Sequence, residues 1–503
     1  MLRDFAALLV SVGTLILVPS CMRGEVLAAG TRFEARLSTP TGSRISHPGD
    51  PIEATIIAPV LAGGRLAIPQ GAIVSGLVQQ VERLGLGVKH LTSGIEYRFD
   101  TVHLPDGTRI AVQAHVVQVE TAKERVNDQG VVGGIYPTAN LSSTAAFYVL
   151  PLLYLDPEFG VPLLGIKSLI ARSPDPEIYF PPGTEMILQL TAAAHVNSPG
   201  ALHNDIAPLS AAEMAGSNEV LAKFPQQRTD RGRNHPSDLI NILFLGTRDS
   251  LNRAFQAAGW SGAQRSSLRS IYRMYHCMVQ RMGYSMAPMG KLTLNGVTAD
   301  FEYQKGLNTF SKRHHVRLWK QGQEDAWLGA ATEDVGYKLR RMHLTHATDP
   351  LIDNERAKVL NDLAFTGCLD AGTLMTRDSF DPRSDQEEFA IKTDRKVAVL
   401  RMNDCLNPRT TAIEPSKNGV QSRRRCVQVL MALRNDLIRI NPLSLACSTV
   451  RALEHRQRST VNGSMSAFSS KEGKAGSSER NIQPAWIRPS VLDARVTTTD
   501  SQR

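Results

Sequence analysis

Between residues 50 and 120, apolar and polar positions alternate in short runs broken by glycine and proline. "PIEATIIAPVL" and "GRLAIPQGAIVSGLV" carry β-branched residues between such breaks and predict strands. "IEYRFDTVHLPDGTRIAVQAHVVQV" predicts a hairpin with Asp106-Gly107 at its turn, where glycine accepts the positive φ that tight turns need. A further strand, "TEMILQL", follows "FPPG" at 180–183. Short strands punctuated in this way predict an all-β, barrel-like domain over 30–195. Residues 143–171, "STAAFYVLPLLYLDPEFGVPLLGIKSLIA", interrupt the alternation. They are apolar, but Pro151, Pro157 and Pro162 each cost a helix interior ~3 kcal/mol. That argues against one straight spanning helix. Two readings stand: short helices or a hairpin packed on the barrel, or an insertion that touches a membrane.

Residues 196–235 have no sustained period and read as a linker with one short helix around 210–223. From 236 the pattern changes. "DLINILFLG" predicts a strand. "TRDSLNRAFQAAGW" predicts a helix capped by Thr247 and ended at Gly259, with Leu251, Ala254, Phe255 and Ala258 on one face. "SSLRSIYRMYHCMVQRMG" predicts a longer helix with Leu268, Ile271, Tyr275 and Met278 at helical spacing. Its His276 and Cys277 point about 100° apart, which suits packing better than a nucleophile and its base. "KLTLNGVTADFEYQKG", "HHVRLWKQG" and "DAWLGAATED" return to strands. Residues 456–503 are rich in Ser, Arg, Gly and Thr, and a disordered tail is expected. The whole reads as a multidomain α+β protein. An N-terminal all-β barrel-like domain with an apolar insertion precedes a C-terminal α/β domain over 236–455, and the two are expected to fold separately.

Composition narrows the partners. Over 503 residues the hydrophobic content is 42% and the charged content 21%, both globular values. The net charge of +9 is spread out, and its densest run, "SRRRC" at 422–426, reads as a solvated loop. Aromatics are only 6%, so no nucleic-acid partner is expected. A membrane lipid or another envelope component is the candidate partner; oligomeric state stays open.

The N-terminus sets the compartment. "MLRDFAALLVSVGTLILVPS" has one Arg before an apolar run, as in a secretory signal. "VPSC" resembles a bacterial lipobox and makes Cys21 a candidate lipidation site, whereas "VLAAG" offers Ala28 and Ala29 for ordinary cleavage. Residues 1–29 therefore read as a signal peptide or lipoprotein signal, with an uncleaved anchor as the third option. Each sends the rest of the chain to the periplasm, outer membrane or cell envelope. The remaining cysteines, Cys277, Cys368, Cys405, Cys426 and Cys447, form no C-x-x-C pair, and which of them bridge stays open.

Candidate chemistry concentrates in "HLTHATDPLIDNER", 343–356, and in the strand before it. In "HHVRLW", alternate residues share a face, so His315, Arg317 and Trp319 lie together. They suit either a cationic, aromatic surface for phosphate or carboxylate or the polar face of an edge strand. His346 and Asp349 are the further site candidates and could meet His315 and Arg317. The competing reading is structural. Asp349 would cap a helix, Pro350 would be its first residue, Asp353 and Glu355 would complement the dipole, and Gly367 would end it. His343 and His346 fall on opposite faces of a strand, so no shared metal is expected there. Gly290-Lys291 is followed by Leu rather than Ser or Thr, and neither G-x-S-x-G nor H-E-x-x-H occurs. No cofactor-binding or metal-ligand set is legible, and cofactors stay unknown.

Two families come into view. "IPQGAIVSGLV", "YRFDTVHLPDGTRIAV", the apolar insertion and "FPPGTEMILQL", over 50–195, resemble the β-barrel of TrbI/VirB10-type secretion components. That resemblance implies a helical insertion between strands and a secretion-channel-like subunit. "HPSDLINILFLGTRDSLNRAFQAAGW", "RHHVRLW", "AWLGAATEDVGY", "THATDPLIDNERAKVLNDL", "VLRMNDC" and "ALRNDLIRINP", over about 236–450, resemble the LssY C-terminal domain of bacterial envelope proteins. This second resemblance implies envelope or lipid-related work without a fixed activity. The sequence thus supports an exported envelope protein that binds an envelope component. The alternatives are a hydrolase of a phosphorylated or lipid-linked substrate, using His315, Arg317, His346 and Asp349, and a secretion-channel subunit.

Overall fold

The computed structural model describes residues 25–136, 174–196, 206–377 and 391–409 apart from short breaks, a few residues between 155 and 170, and the strand Ala494–Val496. Six antiparallel strands, β1 (Arg32–Leu37), β2 (Pro51–Ile56), β3 (Ile73–Glu82), β4 (Gly94–His103), β5 (Arg109–Val119) and β6 (Glu185–Leu190), close on themselves in the order β4-β3-β2-β1-β6-β5 and back to β4. The alternation that predicts them fills the barrel: Phe33, Ala35, Leu37, Val74, Phe99, Val112, Val116 and Leu188 belong to one buried core. The Asp106-Gly107 turn forms as expected. Gly107 has φ +87, and the Asp106 carboxylate accepts the Thr108 N–H at 2.8 Å. Closure needs close approach elsewhere. At Gly76, beside a register shift, any Cβ would run into the Arg98 carbonyl on β4. Most of the insertion 143–171 lies outside the described residues; Leu155, Ile166 and Ile170 within it are helical and exposed.

The second half is built around a mixed sheet, and a further four-stranded sheet, which includes the strand Pro236–Leu239, forms within residues 227–298. Helix α1 (Ala211–Lys223) stands where the short linker helix is predicted. It is followed by β7 (Ile242–Leu245), α2 (Arg248–Ala257), α3 (Leu268–Gln280), β8 (Phe301–Lys305), β9 (Arg313–Gln321), β10 (Ala326–Arg340), β11 (His343–Thr348), α4 (Ile352–Thr366), β12 (Leu369–Arg377) and β13 (Lys396–Met402). The sheet order is β8-β9-β10-β7-β13-β12, with β11 also paired to β10. β7 and β13 run parallel and the other labelled pairs antiparallel. Phe244, Val316, Leu318 and Trp327 face α2 and α4 through Leu251, Phe255, Val359, Leu360 and Leu363. Leu243, Trp319, Leu328 and Val399 face the other way, with Leu221 and Met214 of α1. Thr247 caps α2 as predicted, its side chain accepting the Ser250 N–H. The tail 456–503 lies outside the described residues except Ala494–Val496, which pairs with β12.

Two local expectations are corrected. β9 is neither an edge nor a surface strand: it lies between β8 and β10, and Arg313 through Trp319 are all buried. The helix begins at Ile352 rather than just after Asp349, and its N-cap, Leu351, makes no side-chain capping bond. Pro350 is the reason. Its carbonyl accepts the Lys392 N–H at 2.8 Å in a short parallel bridge, so the chain is still extended there. Asp349 closes a turn instead, accepting the Leu351 N–H at 3.0 Å.

Candidate functional site: two buried polar clusters and an exposed arginine-rich helix

The odd-numbered face of β9 holds the first cluster. Arg317 donates from Nη1 to Asp238 Oδ2 at 2.8 Å and from Nη2 to the Gly290 carbonyl at 3.0 Å. Arg313 donates from Nε to Asp334 Oδ2 at 2.9 Å; Arg313 and Asp334 are opposite one another in the β9–β10 ladder. His315 lies between these pairs, 3.9 Å from Asp238 and 3.8 Å from Asp334. Burial pushes its pKa down to about 4 against the pull of Asp334, which keeps the ring neutral at physiological pH. His346 on β11 reaches the same Asp334 oxygen at 3.3 Å. Three of the predicted residues, His315, Arg317 and His346, are thus gathered around Asp334 and Asp238. Asp349 stays at its turn. The two aspartates that organise the cluster were not singled out from sequence, because each comes from a different strand.

The second cluster joins the two halves. On β1 and β6, Arg36 and Glu185 are cross-strand partners pointing outward from the barrel, and they are nonetheless buried. The second half covers them. Glu185 receives Arg36 at 2.6 Å, Lys305 of β8 at 2.5 Å and Lys358 of α4 at 2.6 Å. Asp362 of α4 receives Lys305 at 2.9 Å, the Trp260 indole N–H at 3.0 Å and Arg36 at 3.3 Å. α4 is therefore clamped on two sides, its leucines on its own sheet and its charges on the barrel. Burial works against both carboxylates, but Lys305, Lys358 and Arg36 hold them below the ordinary range, Glu185 far below it. Beside this layer, His314 on the even face of β9 pairs through Nδ1 with Glu355 of α4 at 2.7 Å and faces Glu120 of the barrel.

A third feature is exposed. On α3, Leu268, Ile271 and Tyr272 face solvent, Leu268 at 88% and Tyr272 at 63%. At about 100° per residue the three share one face spanning roughly 100°, with Arg269 and Arg273 along one side of it. Arg265 before the helix, Arg281 at its end and Met282 beyond are also exposed. Residues 250–299 contain Arg253, Arg265, Arg269, Arg273, Arg281 and Lys291 but no Asp or Glu. On the helix's inner side, Cys277 is a buried free thiol packed with Tyr284, Ala287 and Phe310. His276 meets Tyr272 and Tyr275 edge-on, in line with the packing role expected of it.

These features define the class: a β-barrel-like region followed by a region that mixes strands and helices. Residues 221–394, from the end of α1 to the turn before β13, match the family model described as LssY C-terminus. This region starts and ends earlier than the 236–450 resemblance read from sequence. Among solved structures, the chain has a likeness to ComB10 of the Com type IV secretion system of Helicobacter pylori, at 14% identity and a TM-score of 0.21, covering 36% of this chain and 95% of that one. A score that low transfers neither fold nor role. No curated protein matches the chain.

Proposed function

We propose that this is an exported envelope protein whose LssY-type domain rests on an anionic membrane surface through α3. The observation that carries the reading is the exposed Leu268–Ile271–Tyr272 stripe edged by arginines in an acid-free stretch. An apolar stripe beside cations suits the boundary between acyl chains and phosphate headgroups. Each arginine near an anionic surface contributes ~1 kcal/mol, and tyrosine favours that depth. No described helix is long and apolar enough to cross a membrane. Export rests on the N-terminal apolar run, and the Cys368–Cys405 disulfide fits an oxidising compartment. The hydrolase alternative is less favoured, because His315 and Arg317 are buried and engaged with Asp238, Asp334 and the Gly290 carbonyl. Their arrangement serves β9 and its neighbours.

The test is co-sedimentation with vesicles of phosphatidylglycerol and phosphatidylcholine against phosphatidylcholine alone. Binding to the anionic vesicles only, weakened by salt and lost in an Arg265→Gln/Arg269→Gln/Arg273→Gln variant, is the expected result. Failure to sediment with either, or equal binding of the triple variant, would sink the proposal.

A further inference from the structure

We propose that Glu120, His314 and Glu333 form a divalent transition-metal site, with zinc as its probe, that bridges the barrel and the LssY-type domain. The three come from separate segments. Glu120 follows β5 of the barrel, while His314 and Glu333 are directly opposed on β9 and β10 and so share one face of the sheet. All three are buried, and one ligand atom from each lies within 4.8 Å of the others. His314 Nε2 stands 3.7 Å from Glu120 Oε2. That is too long for a hydrogen bond. It is close to the roughly 3.3–3.6 Å that separates two ligands held at ~2.0–2.2 Å in a tetrahedral shell.

The histidine supplies the second, independent sign. Its side chain is 3% exposed, and Nε2 has no hydrogen-bond partner although it points into the cluster. A buried polar atom in that state is costly unless something meets it. The other ring nitrogen, Nδ1, is 2.7 Å from Glu355 Oε2. Histidines that bind metal through one nitrogen commonly donate the other N–H to a carboxylate, which fixes the tautomer and strengthens the ligand. Glu355 holds the ring in that orientation. On the barrel side, Gln118 donates to Glu120 Oε1 at 2.9 Å and leaves Oε2 directed at His314.

One imidazole and two carboxylates suit zinc or manganese better than calcium, which prefers an all-oxygen shell. Three protein ligands leave a position for water, and the depth of burial fits a structural staple between the two halves.

The experiment uses the full chain, stripped with chelator and titrated with zinc under competition from a chromophoric chelator, with thermal unfolding followed in parallel. The expected result is one zinc per chain and a raised melting temperature. His314→Gln and Glu120→Gln should lose both responses. Glu355→Gln, which removes the charge of the group that orients the ring, should weaken binding roughly 10–100-fold. Circular dichroism of each metal-free variant checks its fold; should His314→Gln not fold, Glu355→Gln and Glu120→Gln carry the decision. Zinc binding that is absent from the wild type, or unchanged in the folded variants and hence adventitious at surface histidines, would overturn the proposal.

Discussion

At the scale of single residues, His315 and Asp349 show how the same residue types serve different ends. His315 is buried neutral among Asp334, Asp238, Arg313 and Arg317, with a pKa of about 4 against an ordinary 6.5. Between those two values the unfolded chain takes up a proton that the folded chain refuses. The stability this group contributes is therefore present above pH 6.5 and is lost as pH falls towards 4. Thermal unfolding across that range should show a shallower acid decline for His315→Gln than for the wild type. Asp349 makes a turn bond that asparagine can reproduce. Asp349→Asn should be nearly neutral, whereas Asp349→Ala should cost about 0.5–2 kcal/mol in denaturant titration, by analogy with helix caps. The pairing of His315 with Arg317 on one face was legible from alternation alone. Asp238 and Asp334 were not, because nothing local marks a carboxylate as the partner of a residue on another strand.

At the scale of elements, α4 carries the lesson. "NERAKVLND" reads as a charged helix, and such a face is ordinarily solvated. Here Glu355, Arg356, Lys358 and Asp362 are all buried: Lys358 and Asp362 meet Glu185 and Arg36 of the barrel, Glu355 meets His314, and Arg356 meets Asp353 and Asp394. The barrel strands were misleading in the same way. Glu34, Arg36 and Glu185 occupy the outward positions of an alternating pattern, which in an isolated barrel would face water. Period gives the face of a side chain and leaves open what covers that face. The strands, turns and helix ends were legible because Thr247, Gly107 and the β-branched runs act locally. Buried ion pairs are costly to break singly. Asp362→Asn leaves Lys305, Lys358 and Arg36 with one carboxylate fewer, and should destabilise by about 3–5 kcal/mol in denaturant titration. Gly76→Ala, which forces β3 away from β4, should lower the melting temperature without touching this layer.

At the scale of the whole molecule, buried ion pairs join the barrel to the second half of the chain, and an apolar stripe is exposed elsewhere, on α3. The Cys368–Cys405 disulfide ties the end of α4 to the segment after β13 and so braces the helix that carries half of the interdomain layer. Neither the pairing nor the docking could be read from sequence, since five downstream cysteines and two separated patterns leave both open. Cys368→Ser/Cys405→Ser should cost about 2–5 kcal/mol, and peptide mapping without reductant should recover that pair. The central claim is that the domain meets an anionic membrane through α3. Hydrogen–deuterium exchange of the protein bound to phosphatidylglycerol vesicles tests it most directly. Slowed exchange centred on residues 265–286, with β9 and α4 unchanged, is the predicted result; unaltered exchange there, or protection confined to another surface, would contradict it.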